Sequence, residues 1–289
     1  MSQPRFNTGL VTRPAVDVSV HASRRRSSGK ALRHELEGKL AALQQDYANL
    51  HTEIFEAAQV HRRLCAPRHV QFGNFEIASE IFAVRHLPGD FFTVEDKQDG
   101  VILALGDICG KGLAAGMWTT HMVGLVGARV ATTSRPEAIV AGVNRDVCLT
   151  KPNVPLASLF LAKLDTVTGL VKYCSAGHPP ALLLRANGDL ELLSEGGLLL
   201  GVVAAAPYVS GCFQLEAGDV LMIYSDGITE SLNSASEEFG YARLEAQLRR
   251  TQAGPADAAL FSVLGAVQDF AAASPLVDDM SLAIVRRHC

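Results

Sequence analysis

The chain lacks a charge excess, a zinc-type cysteine pattern and any apolar run of membrane length. Lys and Arg number 26 against 30 Asp and Glu, a formal net charge of -4. No global field therefore draws the protein to nucleic acid or to an anionic bilayer. Six cysteines (Cys65, Cys109, Cys148, Cys174, Cys212 and Cys289) lie far apart with no CxxC spacing. They read as reduced thiols, which excludes a disulfide frame and a zinc site. No stretch approaches the roughly 20 apolar residues of a membrane span, and the N-terminus has no signal-peptide core. Neither the dinucleotide fingerprint nor a P-loop occurs. The expectation is a soluble, cytoplasmic protein without nucleic-acid or membrane partners.

What is present is a chain of 289 residues, 48% hydrophobic, enough for one large domain and an appendage. Residues 1–30 stand apart. Arg5, Arg13, Arg24, Arg25, Arg26 and Lys30 face a single acid, Asp17, a composition expected of a disordered basic tail. From Leu36 the pattern becomes periodic: Leu36, Leu40, Leu43, Tyr47, Leu50, Ile54, Ala57, His61 and Leu64 alternate spacings of four and three. That is a heptad seam, expected to form a helical coiled-coil linker over 31–66 and a homodimer through residues 36–64. A single amphipathic helix lying on the next domain is the alternative. Pro67 is expected to end the helix.

Residues 70–287 read as one mixed domain. Val101–Leu105, Ser158–Ala162, Leu170–Cys174, Ala181–Leu184, Val220–Tyr224 and Ser281–Val285 are strand-sized and bounded by Gly, Asp or Pro. Thr168-Gly169 and Asn187-Gly188-Asp189 are hairpin turns. Helical stretches run over Leu113–Val130 and Pro136–Leu149, with two shorter ones between Tyr241 and Phe270. Hairpin-linked strands with grouped helices predict an α+β fold, an antiparallel β-sandwich flanked by α-helices.

Chemistry concentrates in four acidic segments beside β-type runs: Gly89-Asp90, Gly106-Asp107 with Gly110 and Gly112, Ser225-Asp226-Gly227 and Asp278-Asp279. Each alone reads as a turn. Together they place carboxylates at several strand ends, and hard divalent cations take oxygen ligands of that kind. Adjacent Asp278 and Asp279 repel one another unless a cation intervenes.

These segments, with Ala176-Gly177-His178-Pro179-Pro180, resemble in order the metal-dependent serine/threonine protein phosphatases, the PPM family, and its bacterial SpoIIE/RsbU-type branch in particular. The resemblance covers about residues 70–287. It implies an α-β-β-α sandwich that hydrolyses phosphoserine or phosphothreonine with two Mn²⁺ or Mg²⁺ ions. Carried over by position, Asp107 would bridge the metals, and the Ile108 carbonyl would hold one of them. Asp226 and Asp278 would hold the other, and Asp90 would bind directly or through water. Asp279, Gly89 and Gly227 would support these ligands from behind. The implied substrate is a phosphorylated STAS-domain regulatory protein in sigma-factor control. Pro88 stands where the family commonly has a first glycine, and Ser175 where it has Asn. His178 is a candidate general acid, although His-Pro-Pro also reads as a structural turn. Cys109 lacks a base to make it a nucleophile, and no arginine is singled out as a phosphate anchor. A catalytically silent phosphoprotein-binding scaffold is the competing reading; the Gly-Asp-Phe of 89–91 alone does not support a nucleotide cyclase.

Overall fold

A computed structural model describes residues 18–65, 69–150, 155–272 and 274–288, with side chains from Leu32 onward. The chain divides into two units, Met1–Ile54 and Phe55–Cys289.

A long helix, α1, spans Val18–Cys65. It begins inside the segment read as a basic tail; residues 1–17 of that tail, and Pro67, lie outside the described residues. Arg24–Arg26, Lys30, Ala31 and Leu32 are good helix formers with only Gly29 against them, so basic composition did not preclude helix. In the first unit the seam residues Leu36, Leu40, Leu43, Tyr47 and Leu50 are all exposed. In the second unit the helix ends differently. His61 is 4% exposed and Cys65 is buried, and Arg62 pairs with Glu80 at 2.8 Å. The last turns of α1 thus pack on the second unit, which starts at Phe55.

That unit continues with β1 (His69–Phe72), β2 (Phe75–Phe82), β3 (Phe91–Lys97), β4 (Gly100–Ile108), α2 (Leu113–Val130) and α3 (Pro136–Leu149). It then runs through β5 (Ala157–Leu164), β6 (Leu170–Ala176), β7 (Ala181–Leu184), β8 (Leu190–Leu193), β9 (Gly196–Gly197), β10 (Gly211–Gln214) and β11 (Val220–Tyr224). The short α4 (Asp226–Thr229), α5 (Gly240–Arg250), α6 (Ala256–Ala271) and β12 (Met280–Arg287) complete it. Two sheets form, ordered β1-β2-β12-β11-β7-β8 and β10-β6-β5-β4-β3, with β9 added in parallel to β6.

Alternation within the strands fixes the layers. Phe92, Leu103, Leu105, Phe160 and Tyr173 of one sheet meet Phe75, Ile77, Leu221, Ile223 and Val285 of the other. On the outer faces, Met222, Leu282 and Ile284 pack under Leu244, Leu260, Val263 and Val267 of α5 and α6. Ile102, Ala104, Leu159 and Leu161 pack under Met122, Val126, Ile139 and Val143 of α2 and α3. Strands buried on both faces read as near-continuous apolar runs. That is why β4 and β11 stand out in the sequence, and why their terminal aspartates do too. The expected helix–sheet–sheet–helix arrangement is present, and both hairpin turns fall where expected, between β5 and β6 and between β7 and β8. Among the described residues no helix is long and apolar enough to cross a membrane, and Cys65, Cys109, Cys148, Cys174 and Cys212 are unpaired.

Candidate metal centre

All four acidic segments lie at one end of the sandwich. Asp90 immediately precedes β3, Asp107 sits one residue from the end of β4, Asp226 opens α4 directly after β11, and Asp278-Asp279 lead into β12. The first two belong to one sheet and the others to the opposite sheet.

Their electrostatics show that they share a space. Asp90 is 1% exposed. Burial, then the nearby Asp107 charge, holds its carboxyl well above the usual range. A hydrogen bond between the two raises Asp90 and lowers Asp107. Ser281 Oγ donates to Asp90 Oδ2 on the other side. Asp107 is itself pushed up to about 6, by burial first and then by the charges of Asp226, Asp278 and Asp279. Asp226 is raised by burial and by Asp278. Lys111 Nζ lies 2.8 Å from Asp278 Oδ2. Among the described residues no three His, Cys, Asp or Glu side chains already stand as a closed ligand set. The ammonium of Lys111 beside Asp278 relieves part of the mutual repulsion instead.

Backbone oxygens complete the cluster. A Cβ at Gly89 would lie 3.1 Å from the Ile108 carbonyl oxygen, 3.3 Å from that of Gly110 and 3.6 Å from Asp107 Oδ1. Gly89 therefore keeps clear the space onto which these oxygens open. Its own position is clamped: Asp279 Oδ2 accepts from Gly89 N and Oδ1 from Val84 N, both at 2.7 Å. Thr119 Oγ1 of α2 donates to the Gly89 carbonyl at 2.8 Å. Gly227 has a different role. A Cβ there would come within 2.0 Å of the Asp279 carbonyl oxygen, so only glycine lets the start of α4 rest against residues 278–279.

Hard oxygen donors from carboxylates and a carbonyl, with Asp90, Asp107 and Asp226 raised by burial first and then by neighbouring like charge, suit a divalent cation such as Mg²⁺ or Mn²⁺. Asp90, Asp107, Ile108, Asp226 and Asp278 are all brought to this end of the fold; Asp279 faces backbone amides.

His178 is not placed as a general acid. Its imidazole is buried, Nδ1 is 2.7 Å from Ser158 Oγ, and desolvation lowers its pKa to about 3. Ser158 is the cross-strand partner of Asp107, so His178 braces the strand behind that carboxylate. Cys109 is exposed, but burial of its thiol and the Asp107 charge raise its pKa, the wrong direction for a nucleophile. The sequence reading assigned no role to Ser281, Thr119, Lys111 or Arg85. Lys111 and Ser281 sat inside quoted motifs, where their polarity beside Gly and Asp was the available signal. Arg85 offered none: it is exposed, and its Cδ lies 3.4 Å from where a Gly112 Cβ would be. It lines, with Lys111 and Val84, a groove beside the acidic cluster.

The family model described as Stage II sporulation protein E (SpoIIE) matches residues 97–288. Phosphoserine phosphatase RsbU of Bacillus subtilis (strain 168) is 24% identical over 262 residues, covering 90% of this chain and 76% of RsbU. Among solved structures, the SiaA-PP2C domain of Pseudomonas aeruginosa superposes with a TM-score of 0.73 at 14% identity, covering 84% of this chain and 98% of that domain. The catalytic domain of serine threonine protein phosphatase PstP, in complex with 2 manganese ions, superposes at 0.52 and 17% identity, covering 74% and 99%. At these identities the superpositions speak for the fold. With the match to the family model spanning most of the two-sheet unit, the chain belongs to the SpoIIE family.

Proposed function

We propose that the protein is a metal-dependent phosphatase acting on phosphoserine or phosphothreonine in a regulatory protein. The observation that carries this reading is the convergence of Asp107 with Asp226 and Asp278 from opposite sheets into one mutually repelling cluster. Asp107 and the Ile108 carbonyl would hold one Mn²⁺ or Mg²⁺, and Asp226 and Asp278 the other. Asp90 would contribute directly or through water. Bound divalent ions supply Lewis acidity toward the phosphoryl oxygens and toward water. The chain's own residues position the substrate. Lys111, beside Asp278, and Arg85 at the rim would draw the phosphate dianion into the groove they share. Asp279 and Thr119 hold the Gly89 turn still while the charge shifts.

Likeness to RsbU supports a phosphoserine protein as substrate, and a STAS-domain regulator fits the branch. A homodimer through residues 36–64 and a cytoplasmic location belong to the same proposal. A silent scaffold of this fold is the second reading, favoured by the Lys111–Asp278 ion pair, which engages one of the four aspartates. Hydrolysis of p-nitrophenyl phosphate and of phosphoserine peptides with and without Mn²⁺ separates the two. Activity that requires Mn²⁺ and falls about 100-fold or more in Asp107→Asn is expected. Mn²⁺ binding without turnover would leave the scaffold.

A further inference from the structure

Between Glu195 and Glu216 the chain carries no charged residue. The segment joins β9 to β10 and turns its apolar side chains to water: Leu198, Val202, Val203 and Val209 are 48–58% exposed. Side chains this accessible gain little from burial in the domain. Contiguous exposed apolar surface marks sites of interaction.

The loop is pinned rather than loose. Asn144 of α3 is fully buried; its Nδ2 donates to the Val203 carbonyl at 2.8 Å and its Oδ1 accepts from Gly201 N at 2.9 Å. The Tyr208 hydroxyl donates to the Leu198 carbonyl at 2.9 Å. A Cβ at Gly201, whose φ is +90°, would lie 3.2 Å from Val147 Cγ1 and 3.4 Å from Leu156 Cδ2. The backbone therefore rests directly on α3 and on the residue before β5, and Val202 and Val203 are presented in fixed positions.

Register places this loop beside the metal centre. Ile108 is the cross-strand partner of Ala157, and Ala157 bridges to Leu200 on its other side. Two strand spacings, roughly 10 Å, thus separate Leu200 from Ile108. The Leu156 carbonyl also accepts from Cys109 N at 2.9 Å, two residues past Asp107. A protein partner of ordinary interface size covers about 800 Å² on each side, a disc of roughly 16 Å radius. Any folded protein that delivers a phosphoserine to the carboxylates must lay its surface over the start of this loop.

We infer that the loop around Val202 and Val203 is the docking surface for the phosphoprotein substrate, and that it selects a protein with an uncharged, apolar surface next to its phosphoserine. The inference rests on phosphatase activity at the metal centre. Lys111 and Arg85 address the phosphate; the loop, without charge, adds contact area that only a folded carrier can use.

Steady-state kinetics of the Mn²⁺-loaded full chain test it with three probes: p-nitrophenyl phosphate, a serine-phosphorylated STAS-domain protein, and the short peptide around that protein's phosphoserine. The wild type should favour the protein over the peptide by about tenfold or more in kcat/KM. Val202→Ser with Val203→Ser, which removes apolar surface without adding charge near the metals, should raise KM for the protein about tenfold and leave its kcat unchanged. Turnover of the peptide and of p-nitrophenyl phosphate should not change. Val167→Ser, an exposed change in the turn between β5 and β6, should have no effect. Equal kcat/KM for protein and peptide would overturn the inference, as would an unaltered protein KM in the double variant or an equal loss on all three probes. If the double variant instead turns a dimer into a monomer in sedimentation and keeps its KM, the loop packs on a second copy and the inference is wrong. A wild type inert toward p-nitrophenyl phosphate is a different failure: it removes the phosphatase reading itself, and this surface's role with it.

Discussion

Both carboxylate oxygens of Asp279 are taken by backbone amides, those of Val84 and Gly89, so its charge orders the turn that precedes Asp90. An amide in its place offers one oxygen and sets an NH₂ against a backbone donor. Asp279→Asn is therefore expected to weaken Mn²⁺ affinity about 10- to 100-fold, measured by calorimetry, with all five candidate ligands intact. His178 gives a pH-dependent signature. Its folded pKa is about 3, below the 6.5 of an unfolded histidine. Its contribution to stability is complete above pH 6.5 and is lost as pH falls toward 3, with a slope of about 1.4 kcal/mol per pH unit. Asp90, Asp107 and Asp279, with raised pKa values, act in the opposite sense: their contribution is present at low pH and lost as pH rises through the folded values. Comparing urea unfolding of the metal-free wild type with His178→Gln between pH 4 and 7 isolates the histidine. The variant should show less loss on acidification, and equal slopes would refute the assignment.

At the scale of elements, glycines decide how closely strand ends meet. Gly227→Ala would drive a methyl into the Asp279 carbonyl, displacing α4 and with it Asp226. Overpacking of this kind costs about 1–3 kcal/mol; a lower thermal midpoint and weaker Mn²⁺ binding are expected together. What the sequence made legible here follows from burial. β4, β5 and β11 are enclosed on both faces, so their apolar runs and terminal aspartates were readable without coordinates. β2 and β3 were harder. β2 carries Glu76, Ser79 and Glu80, all buried yet polar, and β3 ends in Glu95-Asp96-Lys97, so neither reads as an apolar run. The clamps that aim the aspartates (Asp279 to Gly89, Ser281 to Asp90) join residues about 190 positions apart, and periodicity carries no information about such pairs.

At the scale of the whole molecule, the two units divide the labour of α1. Its first part displays an apolar stripe; its last turns bury His61 against the backbone of Gly116 in α2. Leu36, Leu40, Leu43, Tyr47 and Leu50 stay exposed on α1 while His61, at the same heptad phase, is buried; a 3.6-residue face toward the domain and a 3.5-residue seam toward another helix coincide over two turns, so periodicity does not tell them apart. The protein lacking residues 1–54 is expected to stay folded and become monomeric, while the full chain sediments as a dimer. Leu43→Glu with Tyr47→Glu should reproduce the dissociation without touching the domain. A monomeric wild type would remove the dimer.

The distribution of the aspartates over two sheets has a mechanical corollary. Asp107 rides on one layer and Asp226 with Asp278 on the other, so the gap a cation must fit is set by how the layers slide. Trimming one interlayer side chain, such as Phe160 or Ile223, would loosen ion capture before the polypeptide melts, making metal affinity a gauge of core packing.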